Sequence, residues 1–306
     1  SNTESIIEYL GIVPEDRAIT TLPMNYTYGL SIIQTHLCAG ASIILTEATL
    51  MDKKFWSLLK EQKATTFGGV PYIYDILKKL RFGKMDLPSL RYLTQAGGRL
   101  IKEFNQICTE KGIRLIVMYG QTEATARMSY LPWEYAQKKA GSMGIPIPGG
   151  RFALIDVDNH EIMEPEVTGE LIYFGDNVTL GYAENRNDLS KGDENHGVLH
   201  TGDMAKRDED GFYYITGRKK RFLKIFGNRA NLDEVETLLK KEGIESVCVG
   251  KDDMMKIFIT NPEKEAETVD YIVHHTGISR GGFSVSHITE IPRNASGKIL
   301  YSALEE

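Results

Sequence analysis

Between Asp16 and Met118 the chain alternates two hydrophobic patterns. Short runs, RAITTL, ASIILT, ATTF, LRYLT and IRLIVM, are separated by longer stretches, GLSIIQTHL, DKKFWSLLKEQ, PYIYDILKKLR and IKEFNQICTEKG, with apolar residues every three or four positions. The first pattern predicts strands and the second amphipathic helices, because side chains repeat every two residues along a strand and every 3.6 around a helix. Punctuation agrees: Asp52 stands where a helix N-cap belongs, Pro71 at a first helical position and Gly112 where a helix must stop. From Gly141 to Arg218 the pattern changes to short β runs divided by turns, FALIDV, GELIYF, VLHTGDMAKRD and GFYYITGR, which predict a distorted barrel or small β subdomain. After the basic run Arg218-Lys219-Lys220-Arg221 come a helix capped by Asn231 or Asp233, strands IESVCVG and KIFIT, a helix near 265–276 and a strand near FSVSHITEI.

Strand and helix in strict turn imply a parallel sheet, since parallel neighbours need a crossover long enough to hold a helix. The expected class is α/β: a parallel-sheet subdomain over 1–140, a β-rich subdomain over 141–218, and a small mobile α+β domain over 219–306 joined at a hinge. In such sheets ligands collect beyond the carboxyl ends of the strands. Three polar or glycine-rich ends fall there: Gly68-Gly69, Ala96-Gly97-Gly98, and Tyr119-Gly120-Gln121-Thr122-Glu123.

The 306 residues, 42% apolar and 25% charged, are enough for about two domains with a substantial core. A net charge of −6 argues against nucleic acid, because a phosphate backbone rewards clustered positive charge. Cysteines 38, 108 and 248 are odd in number and lack metal spacing, which points to a reducing compartment and no zinc. Without an apolar run of membrane length or a signal pattern, the expected location is the cytoplasm. The opening Ser1-Asn2, with no initiator Met, leads to the expectation of a chain cut from a longer one.

Candidate chemistry lies in three places. In the strand end at 119, Thr122 suits a phosphate oxygen and Glu123 suits Mg²⁺, a hard cation that takes carboxylate and phosphate oxygens; the plain alternative is a Thr-Glu pair capping a helix. Asp203, in a His-Thr-Gly-Asp turn, precedes Arg218 by fifteen residues, and Gly211 allows the segment between them to return as a hairpin strand. A carboxylate and a guanidinium on one edge suit the vicinal hydroxyls of a ribose, and equally describe a surface ion pair. Lys298, in the loop Asn294–Gly297, is a point charge on a long stem able to reach a phosphate or carboxylate, or simply to be solvated. No GxxxxGK[ST] and no GxGxxG occurs, so ATPases and dehydrogenases built on those loops lose their defining feature.

Taken in order, YGQTEA at 119, GELIYFGDNVTLGY at 169, TGD at 201, GRKKRFLKIFGNRANLDEVE at 217 and PRNASGKI at 292 resemble the motif series of the adenylate-forming superfamily: acyl-CoA synthetases, aryl-CoA ligases, adenylation domains and luciferases. The resemblance begins near PMNYTYGL at 23. It implies an enzyme, an acid–thiol ligase: a carboxylate and ATP give an acyl-adenylate and pyrophosphate, and the thiol of CoA or of an acyl carrier protein's phosphopantetheine then takes the acyl group. It further implies Asp203 and Arg218 on the ribose of ATP or AMP, Tyr119 beside the adenine with Gly97, Gly98, Gly120 and Gln121 near it, Thr122 on the α-phosphate and Glu123 on Mg²⁺. Lys298 would act in adenylation alone, Lys220 at the hinge, and Gly227 where pantetheine passes. The acid pocket is expected at Tyr26, Thr27, Tyr28 and Gly29, with Gly68, Gly69 and Val70 opposite, all read as strand ends.

Two departures shape the expectation. Relatives carry a Ser/Thr/Gly-rich phosphate loop before the PMNYTYGL region and this chain does not, so it reads as the C-terminal two-thirds of such an enzyme, inactive in adenylation by itself. Amino-acid-activating relatives have an Asp where Thr27 stands, which directs the reading to simple fatty or aryl acids. The alternative, from another class, is a nucleotide-binding pseudoenzyme or partner module that lacks the phosphate loop naturally.

Overall fold

The computed structural model describes the chain except for residues 99–101, 295–298 and 305–306. It divides into two compact units, one of Ser1–Val167, Leu171–Thr201 and Lys206–Tyr214, the other of Thr168–Glu170, Gly202–Ala205 and Ile215–Glu306. The first begins α1 (Asn2–Leu10), β1 (Arg17–Ile19), α2 (Thr27–Cys38), β2 (Ser42–Ile44), α3 (Lys53–Glu61), β3 (Thr66–Gly69) and α4 (Pro71–Lys79). It continues β4 (Tyr92–Gln95), α5 (Lys102–Glu110), β5 (Arg114–Tyr119), β6 (Ser129–Leu131) and β7 (Ile145–Pro146). The sheet order is β2-β1-β3-β4-β5-β6-β7, parallel as far as β5. The last two strands are antiparallel additions that the alternating pattern does not announce.

Period-two alternation explains the layers. Ile19, Leu93 and Leu115 enter a core with Phe55 and Leu59 of α3, Tyr74 and Leu77 of α4 and Phe104 of α5. Their chain neighbours Ala18, Tyr92 and Ile116 enter another with Ile6 and Leu10 of α1 and Tyr28 and Ile32 of α2. Consecutive side chains point to opposite faces of a strand, so a strand apolar at every position is covered on both sides. Pro71 opens α4 as expected. Asp52 does precede α3, but its carboxylate accepts from the backbone and hydroxyl of Thr49, not from the helix. It closes the turn before the helix.

The second core also contains a titrating group. His36 of α2 is buried, with Nδ1 2.7 Å from the Ile32 carbonyl and Nε2 3.1 Å from the Tyr92 hydroxyl. Burial pushes its pKa below the ordinary 6.5. A lowered folded pKa means that the unfolded chain takes the proton first, so stability is held above about pH 6.5 and lost as pH falls through that range. Calorimetry should show a Tm that declines from pH 7.5 to 5.5, and a flatter slope in His36→Gln. An unchanged slope would place the acid sensitivity elsewhere.

A second sheet runs β11-β10-β9-β8, built from β8 (Arg151–Ile155), β9 (Gly169–Phe174), β10 (Val198–Arg207) and β11 (Tyr213–Arg218). It is an open meander, the small β sheet of the two expected forms and not the barrel. The other unit adds the hairpin β12 (Phe222–Ile225) and β13 (Asn228–Asn231), then α6 (Leu232–Lys241), β14 (Ser246–Lys251), β15 (Met254–Ile259), α7 (Glu265–Thr276) and β16 (Phe283–His287). Strands β14-β15-β16 form its sheet, and Val235, Leu239 and Ile272 of the helices pack on Cys248, Ile257 and Ile259. Of the two caps expected for α6, Asn231 is the one used, its side chain accepting from the Asp233 amide.

Candidate functional site

The carboxyl end of β5 is where the first unit gathers its polar groups. Gly120 follows the strand because a side chain there would run into the Ala126 carbonyl, its Cβ 2.6 Å from that carbon and 2.8 Å from the Arg127 Cα. The close approach is by the protein's own backbone. Gln121 donates 2.9 Å to the Thr201 carbonyl and 3.3 Å to the Tyr119 hydroxyl. Thr122 to Ala124 make one turn of 3-10 helix, with the exposed Thr122 hydroxyl 3.0 Å from that of Thr27. The structure thus brings Tyr119, Gly120, Gln121, Thr122, Glu123 and Thr27 together. Gly97 and Gly98 are exposed beyond β4, where both have positive φ, 84° and 155°, and the Gly98 carbonyl accepts 2.7 Å from the buried amide of Gln95.

Glu123 is held by the loop at 175–182. Thr179 donates its amide to the Glu123 carbonyl at 2.8 Å, and Asn177 gives its side-chain amide to the Ala124 carbonyl at 2.7 Å. Thr125 returns a bond to the Asn177 carbonyl at 2.7 Å. The Tyr182 hydroxyl donates 2.6 Å to Glu123 Oε1, which pushes the phenol pKa above its ordinary value. No described Lys, Arg or His pairs with the Glu123 carboxylate. A half-exposed anion with one oxygen held and no protein cation fits a hard divalent ion, which such sites bind through one or two carboxylates while the ion keeps several waters.

In the second unit, Arg218 Nε lies 3.2 Å from Asp203 Oδ1, the side chains 65% and 6% exposed. The hairpin explains the meeting: Gly211, with φ 85°, turns β10 back into β11. With one partner in solvent the pair contributes at most about 1 kcal/mol, so it is better explained by what its carboxylate and guanidinium present together than by stability. Along the basic run, Lys219 pairs with Glu170 at 2.6 Å, and Arg221 with Asp233 at 2.5 Å and Glu236 at 2.6 Å. Among the described residues exposed Lys220 has no such partner.

The strand-end placement expected for the acid-pocket residues needs correction. Tyr26 is the N-cap of α2, and Thr27, Tyr28 and Gly29 form its first turn, so they are at a helix start and not a strand end. Tyr28 is buried, its hydroxyl 2.7 Å from Thr94 Oγ1 and its ring beneath the Arg127 guanidinium at 5.2 Å. A side chain at Gly29 would strike the Pro23 carbonyl. Gly68 and Gly69 do end β3, but a Cβ on Gly68 would meet Ile32 and Tyr28 at 2.8 Å, and one on Gly69 would meet Ile73 at 2.7 Å. Packing alone therefore accounts for these glycines. Gly227 has φ 86° in the β12–β13 turn beside Phe226 at 49°, so local backbone already requires it. Lys298 lies outside the described residues.

Tyr182 and Asn177 were missed as individual residues, although both stand inside GELIYFGDNVTLGY. A Tyr three residues after a loop Thr carries no local sign of its partner. Arg127, almost wholly buried with donors to Tyr9 and Ser31, was missed too; a charge among apolar residues next to the Thr-Glu turn was the available signal.

A family model described as AMP-binding enzyme matches residues 1–183. Among curated proteins, the 2-succinylbenzoate–CoA ligase of Bacillus cereus is 29% identical, covering 97% of this chain and 63% of that protein. The indoleacetate–CoA ligase of Aromatoleum aromaticum is 29% identical over 97% of this chain and 60% of its own. Among solved structures, the o-succinylbenzoate CoA synthetase of Bacillus subtilis with its acyl-adenylate intermediate OSB-AMP superposes with a TM-score of 0.82 at 25% identity, covering 100% of this chain and 64% of that one. This chain spans about 63% of the length of the curated relatives it matches.

Proposed function

Because the chain belongs to the AMP-binding enzyme family, we propose that it is part of an acid–thiol ligase that activates a carboxylic acid with ATP. A carboxylate oxygen attacks the α-phosphorus, the bond to pyrophosphate breaks, and a thiol then displaces AMP from the acyl carbon. CoA is the acceptor favoured by the relatives' names, and an acyl carrier protein is the alternative the assay includes. Both curated relatives named above act on carboxylic acids borne on an aromatic frame, which supports an aryl acid here.

One observation carries the reading: Asp203 and Arg218 meet on neighbouring strands as the chemistry of a ribose diol requires, the carboxylate accepting and the guanidinium donating. In the same proposal Tyr119, Gly97, Gly98, Gly120 and Gln121 serve the adenine, and Thr122 the α-phosphate. Glu123 would hold Mg²⁺, which when bound neutralises phosphate charge. Lys298 serves adenylation, Gly227 the thiol's passage, and Lys220 a hinge. Tyr26, Thr27, Tyr28, Gly29, Gly68 and Gly69 remain the candidates for the acid pocket. The subdomain boundaries at 140/141 and 218/219 belong to this proposal.

The test is acid-dependent ATP–pyrophosphate exchange and thioester formation across aryl, fatty and α-amino acids, with CoA and carrier protein as acceptors, on this chain and on the longest product of its gene. Preference for α-amino acids, or no exchange with any acid by the longest product, overturns the reading, and exchange by this chain alone overturns its expected inactivity. A binding prediction accompanies it. Asp203→Ala should weaken AMP about 10- to 100-fold, the loss of charge-assisted bonds of roughly 1.5 to 3 kcal/mol. It should leave 2′,3′-dideoxy-AMP unaffected. Equal losses for both nucleotides in calorimetry would remove the ribose role.

A further inference from the structure

We propose that Tyr182 is a positioning residue for the cation ligand: its hydroxyl fixes Glu123 Oε1 and so turns Oε2 to the metal. The inference rests on the reading of Glu123 as the carboxylate that holds Mg²⁺, and adds a residue to which no role has been given.

The geometry is specific. Tyr182 is 72% exposed, and Glu123 is half-exposed, yet the phenol and carboxylate meet at 2.6 Å. A bond between two groups open to water contributes little net stability, because each exchanges it for water, so stability does not explain its presence. What it does is remove a rotational choice. A free glutamate turns its carboxylate about a broad terminal torsion, and a donor on one oxygen restricts that torsion.

The phenol's own placement is built, not incidental. Gly181, immediately before Tyr182, has φ 147°, a backbone conformation that side chains disfavour, and the Tyr182 hydroxyl reaches Glu123 from the residue that follows it. The adjoining residues are tied down: the Leu180 carbonyl accepts from the Glu194 amide at 2.7 Å, and the Thr179 carbonyl from the Asn195 side chain at 2.7 Å. With the Thr179 and Asn177 bonds to Glu123 and Ala124, the loop grips the turn at its backbone and at the ligand side chain together. A carboxylate that binds a metal is ordinarily oriented by such a partner, and loss of one typically costs 10- to 100-fold in metal affinity.

Tyr182→Phe removes the hydroxyl and keeps the ring. Titration of the whole chain with Mn²⁺ at saturating AMP, followed by electron paramagnetic resonance, should show metal affinity lower by about tenfold or more, with AMP affinity in EDTA and Tm both unchanged. A loss of metal-free AMP affinity to the same extent would mark a merely structural role and overturn the inference. So would Mn²⁺ binding equal to or tighter than wild type while Glu123→Gln is weakened, and in that case Glu123 keeps its role. If Glu123→Gln binds Mn²⁺ like wild type, or wild type takes none at millimolar concentration, the reading of Glu123 fails and the role of Tyr182 falls with it.

Discussion

Gly120→Ala is expected to destabilise the first unit by about 3 kcal/mol or more and to abolish metal-dependent nucleotide binding. The added methyl would lie within the radius of a backbone carbonyl, with the Ala126 carbon at 2.6 Å and the Arg127 Cα at 2.8 Å. A flexible side chain could rotate aside, but a peptide unit cannot. Relief requires moving the turn from Thr122 to Ala126, which is bonded to Asn177 and Thr179 through Ala124, Thr125 and Glu123. Overpacking in a tight core costs about 1 to 3 kcal/mol, and a fixed backbone neighbour puts this case at the upper end or beyond. For a unit of this size that is a Tm lower by roughly 6 to 12 °C. Gly112→Ala is the control: its Cβ would meet nothing within 4 Å, so only the positive φ of 68° counts, at about 1 kcal/mol. A Gly120→Ala protein that melts with wild type would show that the turn yields freely, and the account of Gly120 as a close-approach residue would have to be abandoned.

In the second unit the largest loss is expected from Arg221→Met. The guanidinium, its side chain 10% exposed, bonds Asp233 and Glu236, donates 3.1 Å to the Cys248 carbonyl and lies 3.9 Å from the centre of the Tyr301 ring. Removing it leaves Glu236 without a cation in a place where burial already pushes its pKa above the ordinary carboxylate value. Breaking one side of a buried pair costs about 3 to 5 kcal/mol, mainly the penalty of the charge left behind. That corresponds to a Tm of this unit lower by roughly 12 °C or more. The sign with pH follows from linkage. Without Arg221 the folded pKa of Glu236 rises further above its unfolded value, so the penalty is present at high pH and relieved as pH falls through the folded pKa. Urea titrations should therefore give a larger gap between variant and wild type at pH 8 than at pH 5. Adding Glu236→Gln should recover part of the loss at pH 8. A gap independent of pH, with no recovery, would mean that the lost packing of the long side chain dominates.

Much of the architecture was legible because the signals are local. The alternation from Asp16 to Met118 gave the parallel strands and their crossover helices, and Asn231 capped the helix it precedes. Asp203 and Arg218 were predictable partners because a single glycine turn separates their strands. The reading of Tyr26 to Gly29 as a strand end failed for an equally physical reason. The helix pattern was read as starting at Gly29, where the apolar spacing becomes evident, whereas α2 starts at Thr27 and directs Tyr28 into the core beside Thr94 and Arg127.

The sequence by itself determined the alternating strands and helices from Asp16 to Met118, the hairpin that pairs Asp203 with Arg218, and the motif series that marks the family. Each depends on neighbours along the chain, whose relation is set by helix and strand periodicity. Only the tertiary structure decided that Tyr182 meets Glu123 across 59 residues, that Arg127 lies against Tyr9, Ser31 and the Tyr28 ring, and that Gly120 and Gly29 are small because peptide groups approach them. Contacts of that kind depend on sheet order and on the path of loops between strands. Periodicity carries no record of either, because it describes which face a residue is on and not what the folded chain later lays against it.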